Sequence, residues 1–496
     1  MKPKHKKTQR SSSAGVDPVS EAAKYRDLLS PQEYSQLLEE IQRDLPPAIR
    51  LNPLKTTEGF AQHLSRKYGW QLTLINFCPT GYRVLNAPAA SISATLEHHL
   101  GMYYIQEAAS MLPAELFTPP LAGDLILDMA ASPGGKTTHL ISRSGDNGLV
   151  IANDSSRGRI QALRSVLQNW GAVNYAVTRF PAERFGEWFP GTFDKILLDA
   201  PCSMQGLRTA ESHHSRPVSE KESLQLSRRQ RAMLSSAIRA LRVGGEVVYS
   251  TCTLLPEEDE IVIDAILREF AGQIEVSDAT HLLPSPAPGL SRYKDQVFSD
   301  NVEKSIRLWP HRYQTAGFFA CPLRKLETTP GSTSEPPFRP LESVNYEVLS
   351  PREVNKLCET FAELFGYDLA EDLARDQRTL VRHFDKIFLF PTILLERFAG
   401  LPVQAAGILL GELTPDGFLP SQSWVSRFGP RCTRGIIQLN ENESADWVQG
   451  KNLDYTSVGK PPEYPYLIVT DQQGYALGRA AHTTNGLKNL LRKRLV

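Results

Sequence analysis

Two cysteines carry the strongest chemical signal in this chain. Cys202 closes the run Asp199-Ala200-Pro201-Cys202, and Cys252 closes Ser250-Thr251-Cys252, fifty residues further on. Each follows an apolar stretch of strand character, Lys195-Ile196-Leu197-Leu198 before the first and Glu246-Val247-Val248-Tyr249 before the second. In an open α/β fold, a residue that follows such a strand stands at the carboxyl edge of a parallel sheet, where these folds bind their ligands. Two thiols at one such edge point to nucleophilic, covalent chemistry.

Upstream lies a glycine-rich turn, Asp128-Met129-Ala130-Ala131-Ser132-Pro133-Gly134-Gly135-Lys136, between the strand Leu125-Ile126-Leu127-Asp128 and a helix beginning Lys136-Thr137-Thr138-His139-Leu140. Glycine there permits positive φ and close approach of a ligand to the backbone. Gly135-Lys136-Thr137 invites a phosphate-loop reading, but that loop needs a glycine five residues earlier, where Ala130 stands. A second strand, Leu149-Val150-Ile151-Ala152-Asn153, ends in Asp154, twenty residues beyond Gly134. An acid at that place accepts hydrogen bonds from a ribose diol; with Ser155 and Ser156 next, it also reads as a helix N-cap. Turn and acid together favour a nucleoside-bearing cofactor. Hydride transfer uses both features but has no need of two thiols. Methyl transfer from S-adenosylmethionine to a pyrimidine does. Carbon 5 of cytosine is a poor nucleophile until a thiolate adds to carbon 6, and a proton must then leave carbon 5 before that thiolate is eliminated. One cysteine for each task accounts for the pair.

The elements that must position these residues run from Asp124 to Lys325, where apolar strands alternate with helical segments in the βαβ pattern of a parallel sheet. The predicted fold class is therefore α/β, a Rossmann-like core spanning 101–326. Residues 1–20 read as a basic disordered tail and 21–100 as a small α+β domain, with an amphipathic stretch at 33–41 and strands at 48–52 and 71–75. A linker, 327–345, is centred on a stretch rich in Pro, Ser, Thr and Glu. An α+β module, 346–430, and a closing β module, 431–496, follow; the latter holds a hairpin at 464–470 and 474–479 and a basic end.

At 496 residues the chain is too long for one core. Its 55 basic and 55 acidic side chains cancel, so a nucleic acid must be held by local patches. Candidates are the arm Lys2, Lys4, Lys6, Lys7 and Arg10 and the cluster Arg479, Lys488, Arg492, Lys493 and Arg494, each equally readable as solvated surface. The six cysteines lack CxxC spacing, which argues against zinc and disulfides and for a reducing cytoplasm. Cys78, Cys321 and Cys358 read as small buried hydrophobes. His213-His214 has no third ligand at a fixed spacing, so no metal is expected. No run reaches the length of a membrane span, and the N-terminus lacks a secretory signal.

The motifs resemble those of the RNA 5-methylcytosine methyltransferases of the Nol-Nop-Sun family, which carry a DxAAxPGGK-like turn, a DAPCS strand end and an STC strand end. The likeness continues through Tyr104-Ile105-Gln106-Glu107-Ala108-Ala109-Ser110, Pro256-Glu257-Glu258-Asp259-Glu260 and Gly317-Phe318-Phe319. The closing module is similar to the PUA-like C-terminus of bacterial RsmF-type 16S rRNA methyltransferases. The resemblance implies an S-adenosylmethionine-dependent core flanked by RNA-binding modules. It further implies a monomer with no membrane partner, acting on structured RNA, 16S rRNA first, naked or within the small ribosomal subunit. It also orders the thiols, which the chemistry leaves open: Cys252 attacks carbon 6, and Cys202 assists proton removal and release. By the same resemblance Asp199 bonds the cytosine amino edge and lines the cofactor pocket. The backbone of Ala130, Ala131, Ser132, Pro133, Gly134, Gly135 and Lys136 holds the methionine part of the cofactor, and Asp154 holds the ribose. Arg50 and Asn52 match an Arg-x-Asn element that contacts RNA, though strand charge and turn cap are equally ordinary roles. A target base must be unpaired or flipped to reach such a pocket. Two positions depart from the family pattern. Pro181, in Arg179-Phe180-Pro181-Ala182-Glu183, stands where many relatives have an acid for the adenine, and Met204 stands where glycine commonly follows PCS, ahead of an unusual loop at 207–217 expected to face RNA. A tRNA substrate, or a weakly catalytic RNA-binding assembly factor, are the alternatives.

Overall fold

The computed structural model describes residues 18–87, 89–119, 123–207, 217–455 and 464–491, and a nine-stranded sheet forms its centre. The basic arm at 1–10, His213, His214, Arg492, Lys493 and Arg494 lie outside the described residues. Across the sheet the strands run Ile274–Val276, Phe318–Lys325, Leu241–Thr251, Phe193–Asp199, Leu125–Asp128, Leu149–Asn153, Tyr175–Thr178 and Val403–Ala406, with Ile306–Leu308 paired to Phe318–Lys325 off this path. The five from Leu241–Thr251 to Tyr175–Thr178 are parallel, and the outer ones antiparallel. Every residue of Leu125–Asp128, Leu149–Asn153 and Tyr175–Thr178 is buried, as parallel strands covered on both faces require. The order reverses at Leu125–Asp128, whose neighbours are the next strand in sequence on one side and Phe193–Asp199 on the other. A ligand crevice is expected beyond the carboxyl end of such a strand.

The helix Arg157–Trp170 shows how local sequence sets the packing. Ile160, Leu163, Leu167 and Trp170 recur at helical spacing, form one buried stripe, and end at Gly171, whose φ of 77° closes the helix. Burying each leucine contributes roughly 1.5–3 kcal/mol. Ahead of the core, Leu72–Ile75, Cys78–Val84, Ala48–Leu51 and Tyr103–Ile105 form an antiparallel sheet in that order. The helix Pro31–Glu40 opens on a capping box between Ser30 and Glu33. After the core, residues 326–340 form no helix or strand. Two five-stranded sheets follow. One is antiparallel, built from Tyr346–Val348, Arg378–His383, Lys386–Pro391, Ile408–Thr414 and Gly417–Pro420; the other is made of Ile436–Gln438, Tyr466–Thr470, Ala476–His482, Gly486–Asn489 and Leu453–Asp454. Among the described residues no helix is long and apolar enough to cross a membrane.

The hydrophobic cores cross the segments read from the sequence. Val381, Phe390, Leu394 and Phe398 pack into the same cluster as Ile196 and Tyr249 of the central sheet. Leu467, Val469 and Leu477 of the last sheet share a cluster with Ile49, Leu64 and Trp70 of the first. Val403–Ala406 extends the central sheet itself. Charge joins these parts as well. Asp146, in the core, accepts from Arg378 (3.3 Å) and from Arg427 of the later segment, and from the backbone of Val173 and Asn174. Asp146 is fully buried.

Asp146→Ala leaves two buried guanidiniums without their shared counter-charge, and unfolding stability should fall by roughly 3–5 kcal/mol. Urea denaturation measures this; a loss below about 1 kcal/mol would equate the network with an ordinary surface ion pair.

Candidate active site

Three parallel strands end at one sheet edge, and their register brings the chemistry into line. Asp199 lies opposite Ser250, and Asp128 opposite Leu197. Beyond these ends the chain becomes, respectively, the Cys202 segment, the Cys252 turn and the glycine-rich turn. Together they surround a cavity of about 350 Å³, whose lining includes Tyr104, Gln106, Asp128, Lys136, Asp199, Met204, Cys252 and Phe318. That volume lies within the range of small-molecule sites.

The two thiols meet, with Cys202 Sγ 3.1 Å from Cys252 Sγ. Contact with Cys252, and then burial, holds Cys202 well above the ordinary cysteine range, so Cys202 keeps its proton. Cys252 lines the cavity. Lys136 Nζ donates to Asp199 Oδ2 at 2.8 Å, and Ser250 Oγ donates to Asp199 Oδ1 at 2.9 Å. Burial alone would pull Lys136 down, but the Asp199 carboxylate outweighs it, with Cys252 and Asp128 adding to the upward shift. A fixed cation therefore stands among two carboxylates and a thiol.

Asp128 is the acid that sequence reasoning quoted within the turn but assigned no role. Burial pushes it up to about 7, against a hydrogen bond from Thr137 Oγ1 (2.7 Å) to Oδ2 and with a contribution from Asp199. Its Oδ1 is buried without a hydrogen-bond partner, and so is Ser132 Oγ. Tyr104, Gln106, Glu107 and Phe318 were likewise missed as site residues, although they belong to the stretches that carried the family resemblance. Glu107 accepts from the backbone of Ala316 (3.0 Å) and Ser110 (3.3 Å), which ties the two walls together.

The residues present fit S-adenosylmethionine. Asp128 Oδ1 and Ser132 Oγ are unmatched polar atoms on the cavity lining, suited to a zwitterionic amino-acid end. Gly135 leaves room where a Cβ would lie 2.9 Å from Tyr104 Cε1. Gly134, with φ 118°, begins the helix Gly135–Arg143. Ala130, Ala131, Ser132, Pro133, Gly135, Lys136, Asp199 and Cys252 all line the cavity, and the Ser132-Pro133 bond is cis. Asp154 does not line it. Its Oδ1 accepts from Ser156 N (2.8 Å) and Arg159 Nη2 (3.2 Å), its Oδ2 from Ser132 N (3.3 Å). Asp154 therefore braces the turn from behind, and a ribose would have to displace Arg159.

The segment Pro256-Glu257-Glu258-Asp259-Glu260 braces the cysteine strands. Glu258 Oε2 accepts from Ser203 N (3.0 Å) and Gln230 (2.9 Å), and Asp259 accepts from Thr251 Oγ1 (2.6 Å). Arg307 bonds Glu260 Oε1 (2.9 Å) and Leu254 O (2.8 Å) and lies 3.5 Å from Asp259. All four side chains are fully buried, and burial pushes both Glu258 and Asp259 upward. The loop after Cys202 is unusual in its backbone. Met204 has φ 61° and Leu207 φ 67°, left-handed conformations that cost non-glycine residues roughly 1–2 kcal/mol each.

Several expectations are corrected. Arg50 and Asn52 are fully buried and do not reach a surface that RNA could touch. Arg50 donates to Gln106 Oε1 (3.0 Å), Gly135 O (2.9 Å) and Thr138 Oγ1 (2.7 Å) and stacks over Trp170. Asn52 bridges Gly101 O (2.8 Å) and Trp170 O (2.9 Å). Both fasten the first sheet to the core. Cys78 is buried but not in purely apolar surroundings, since Thr80 Oγ1 and His139 Nε2 lie 3.7 and 3.9 Å from its sulfur, and Cys358 is only half-buried. Arg479 is half-buried and bonds Pro420 O, whereas Lys488 is exposed on the last strand. No acid occupies 179–182, and Glu183 pairs with Arg229 at 3.0 Å.

Residues 116–324 match the family model described as 16S rRNA methyltransferase RsmB/F, and residues 20–108 match the N-terminal domain of 16S rRNA methyltransferase RsmF. The ribosomal RNA small subunit methyltransferase F of Shewanella loihica is 32% identical, over 92% of this chain and 90% of its own length. Those of Aeromonas salmonicida and Klebsiella pneumoniae are 30% and 31% identical, each over 92% of this chain and 91% of the relative. Among solved structures, a methyltransferase homologue protein from Pyrococcus horikoshii is 31% identical with a TM-score of 0.51, covering 62% of this chain and 99% of that one. NSun6 from the same organism, solved with SFG, shares the fold at 23% identity and a TM-score of 0.53, over 62% and 97% of the two chains. The thiol pair, the glycine-rich turn and this similarity over 92% of the chain converge: the chain belongs to the ribosomal RNA small subunit methyltransferase F family of S-adenosylmethionine-dependent enzymes.

Proposed function

We propose that the enzyme methylates carbon 5 of a cytosine in 16S rRNA through a covalent adduct on Cys252 that Cys202 helps to resolve. The contact that carries this reading is the 3.1 Å separation of the two sulfurs at the cavity, with a fixed lysine and aspartate beside them. The relatives named as small-subunit rRNA methyltransferases support the choice of RNA.

S-adenosylmethionine, when bound, supplies an electrophilic methyl group. The protein does the rest. The Cys252 thiolate adds to carbon 6 of the flipped cytosine, and the electron pair moves to carbon 5, which would take the methyl as the sulfonium's methyl–sulfur bond breaks and its electron pair stays on that sulfur. Lys136 stands as the cation near the developing charge. Asp199, held by Lys136 and Ser250, offers its remaining lone pairs to the cytosine amino group. The proton on carbon 5 is then lost to water beside Cys202, the Cys252–carbon 6 bond breaks with its electron pair returning to sulfur, where the protonated Cys202 thiol 3.1 Å away donates to it, and the ring recovers its double bond. Asp128 would hold the ammonium of the cofactor's amino-acid end, and Asp154 would hold the ribose, which requires Arg159 to give up its bond to that acid. The segments 21–100 and 431–496 bind RNA, the latter as a PUA-like module presenting Lys488. We place this activity in the cytoplasm, in a monomeric enzyme acting on the small subunit or its RNA.

Cys252→Ala should abolish methyl transfer, by ~10³-fold or more, and form no adduct. Cys202→Ala should accumulate a protein–RNA band on a denaturing gel. Tritium transfer from labelled cofactor to 16S rRNA reads both variants, and methylation by Cys252→Ala would refute the assignment. The raised Asp128 sets a pH test. Above about 7 its carboxylate is charged and attracts an ammonium; below it is neutral. Cofactor affinity should thus rise with pH up to about 7, by roughly tenfold per unit at most, and level off above. Asp128→Asn should flatten that profile in calorimetric titrations.

A further inference from the structure

We infer that the Met204 side chain is a binding surface for the flipped target base, held ready by a strained backbone that the surrounding loop enforces. The inference rests on the proposed cytosine chemistry and deepens it by naming a group that grips the substrate.

Met204 combines three properties. Its φ of 61° is one that side-chain-bearing residues rarely adopt. It is 40% exposed, among the few large apolar side chains that face solvent. And it lines the same cavity as Cys252, Asp199 and Lys136, two residues after Cys202. Its neighbours in the loop are fastened from several sides. Ser203 N donates to Glu258, and Ser203 Oγ to Thr253 Oγ1 at 3.2 Å. Lys24 and Tyr25 of the first helical segment donate to the side chain and the carbonyl of Gln205, each at 2.6 Å. Gly317 N donates to Gly206 O at 2.7 Å, and a Cβ at Gly206 would lie 2.5 Å from Gly317 O. The backbone at 204 is therefore over-determined by residues 203, 205 and 206, which is the condition under which local strain persists.

Glycine would satisfy that backbone without strain. The hydrophobic cluster of this region holds Leu254, Trp309, Tyr25 and Leu207 but not Met204. The side chain instead adds a flexible, polarisable thioether to a cavity wall, a group that packs well against the face of an aromatic ring. A pyrimidine drawn from its stack loses stacking on both faces, and an apolar cavity wall replaces part of it.

The test uses the full chain, in vitro transcribed 16S rRNA and small subunits reconstituted with it. Met204→Gly is the informative variant because its backbone prefers the observed conformation. We expect an increase of about tenfold in KM for RNA, unchanged S-adenosylmethionine affinity, and a melting temperature equal to or above that of the parent. Met204→Leu should recover most of the loss. Parent-like KM and kcat in Met204→Gly overturn the inference. So does a loss of activity that comes with lower melting temperature or weaker cofactor binding, because the residue would then serve the fold. If the parent methylates neither RNA substrate, the proposed function fails instead, a result distinct from either outcome at position 204.

Discussion

Arg307, Glu258, Asp259 and Glu260 form a connected unit inside the protein, and the two cysteine-bearing strand ends hang from it. One guanidinium faces two of the three acids, all of them out of reach of water. Burial raises both Glu258 and Asp259, which disfavours the charged form of each. In return the acids hold specific atoms: Ser203 N beside Cys202, and Thr251 Oγ1 beside Cys252. Removing one member would leave unmatched charge or an unmatched donor, so the cost falls on sulfur geometry as much as on stability. Two parallel strands bring the cysteines to the same edge, and this network fixes how their sulfurs meet.

The chemistry is served by contrasts of environment within a few ångströms. Cys202 keeps its proton because another sulfur and the protein interior surround it, while Lys136 keeps its charge because Asp199 lies 2.8 Å away. Burial pushes Asp128 up to about 7, with the neighbouring Asp199 adding to the shift. Groups a few ångströms apart are thus shifted by their surroundings, the usual way in which active sites tune acids and bases. The glycine turn supplies space, Gly135 beside Tyr104 being the clearest instance.

Much of the fold was legible along the chain. The strands predicted at 48–52 and 71–75 are observed as Ala48–Leu51 and Leu72–Ile75, and the helix at 33–41 as Pro31–Glu40, because each depends on local periodicity and caps. Sequence motifs at strand ends pointed to residues that the fold brings to one cavity: Cys252, Asp199 and, of the turn, Ala130, Ala131, Ser132, Pro133, Gly135 and Lys136, with Cys202 against Cys252 and Gly134 left off the lining. Arg50 shows where such reasoning stops. An arginine on a strand ordinarily faces solvent, and only the approach of Gly135, Thr138 and Trp170, more than eighty residues away, turns it into an internal clamp. The bonds that Arg159 and Ser132 donate to Asp154, the acid proposed for the ribose, were not legible along the chain either.

By itself the sequence determined the reaction class and the parallel core, because thiols, glycines and apolar runs act through neighbours a few residues along the chain. Tertiary structure decided everything that depends on residues far apart. It brought the two sulfurs together, buried Asp259 and Glu260 against one arginine, added Val403–Ala406 to the central sheet, and packed the last module against the first. It also turned Met204 from a departure in a motif into a strained side chain on the cavity wall. Burial and charge are properties of the surroundings, and those surroundings exist only once distant segments have packed.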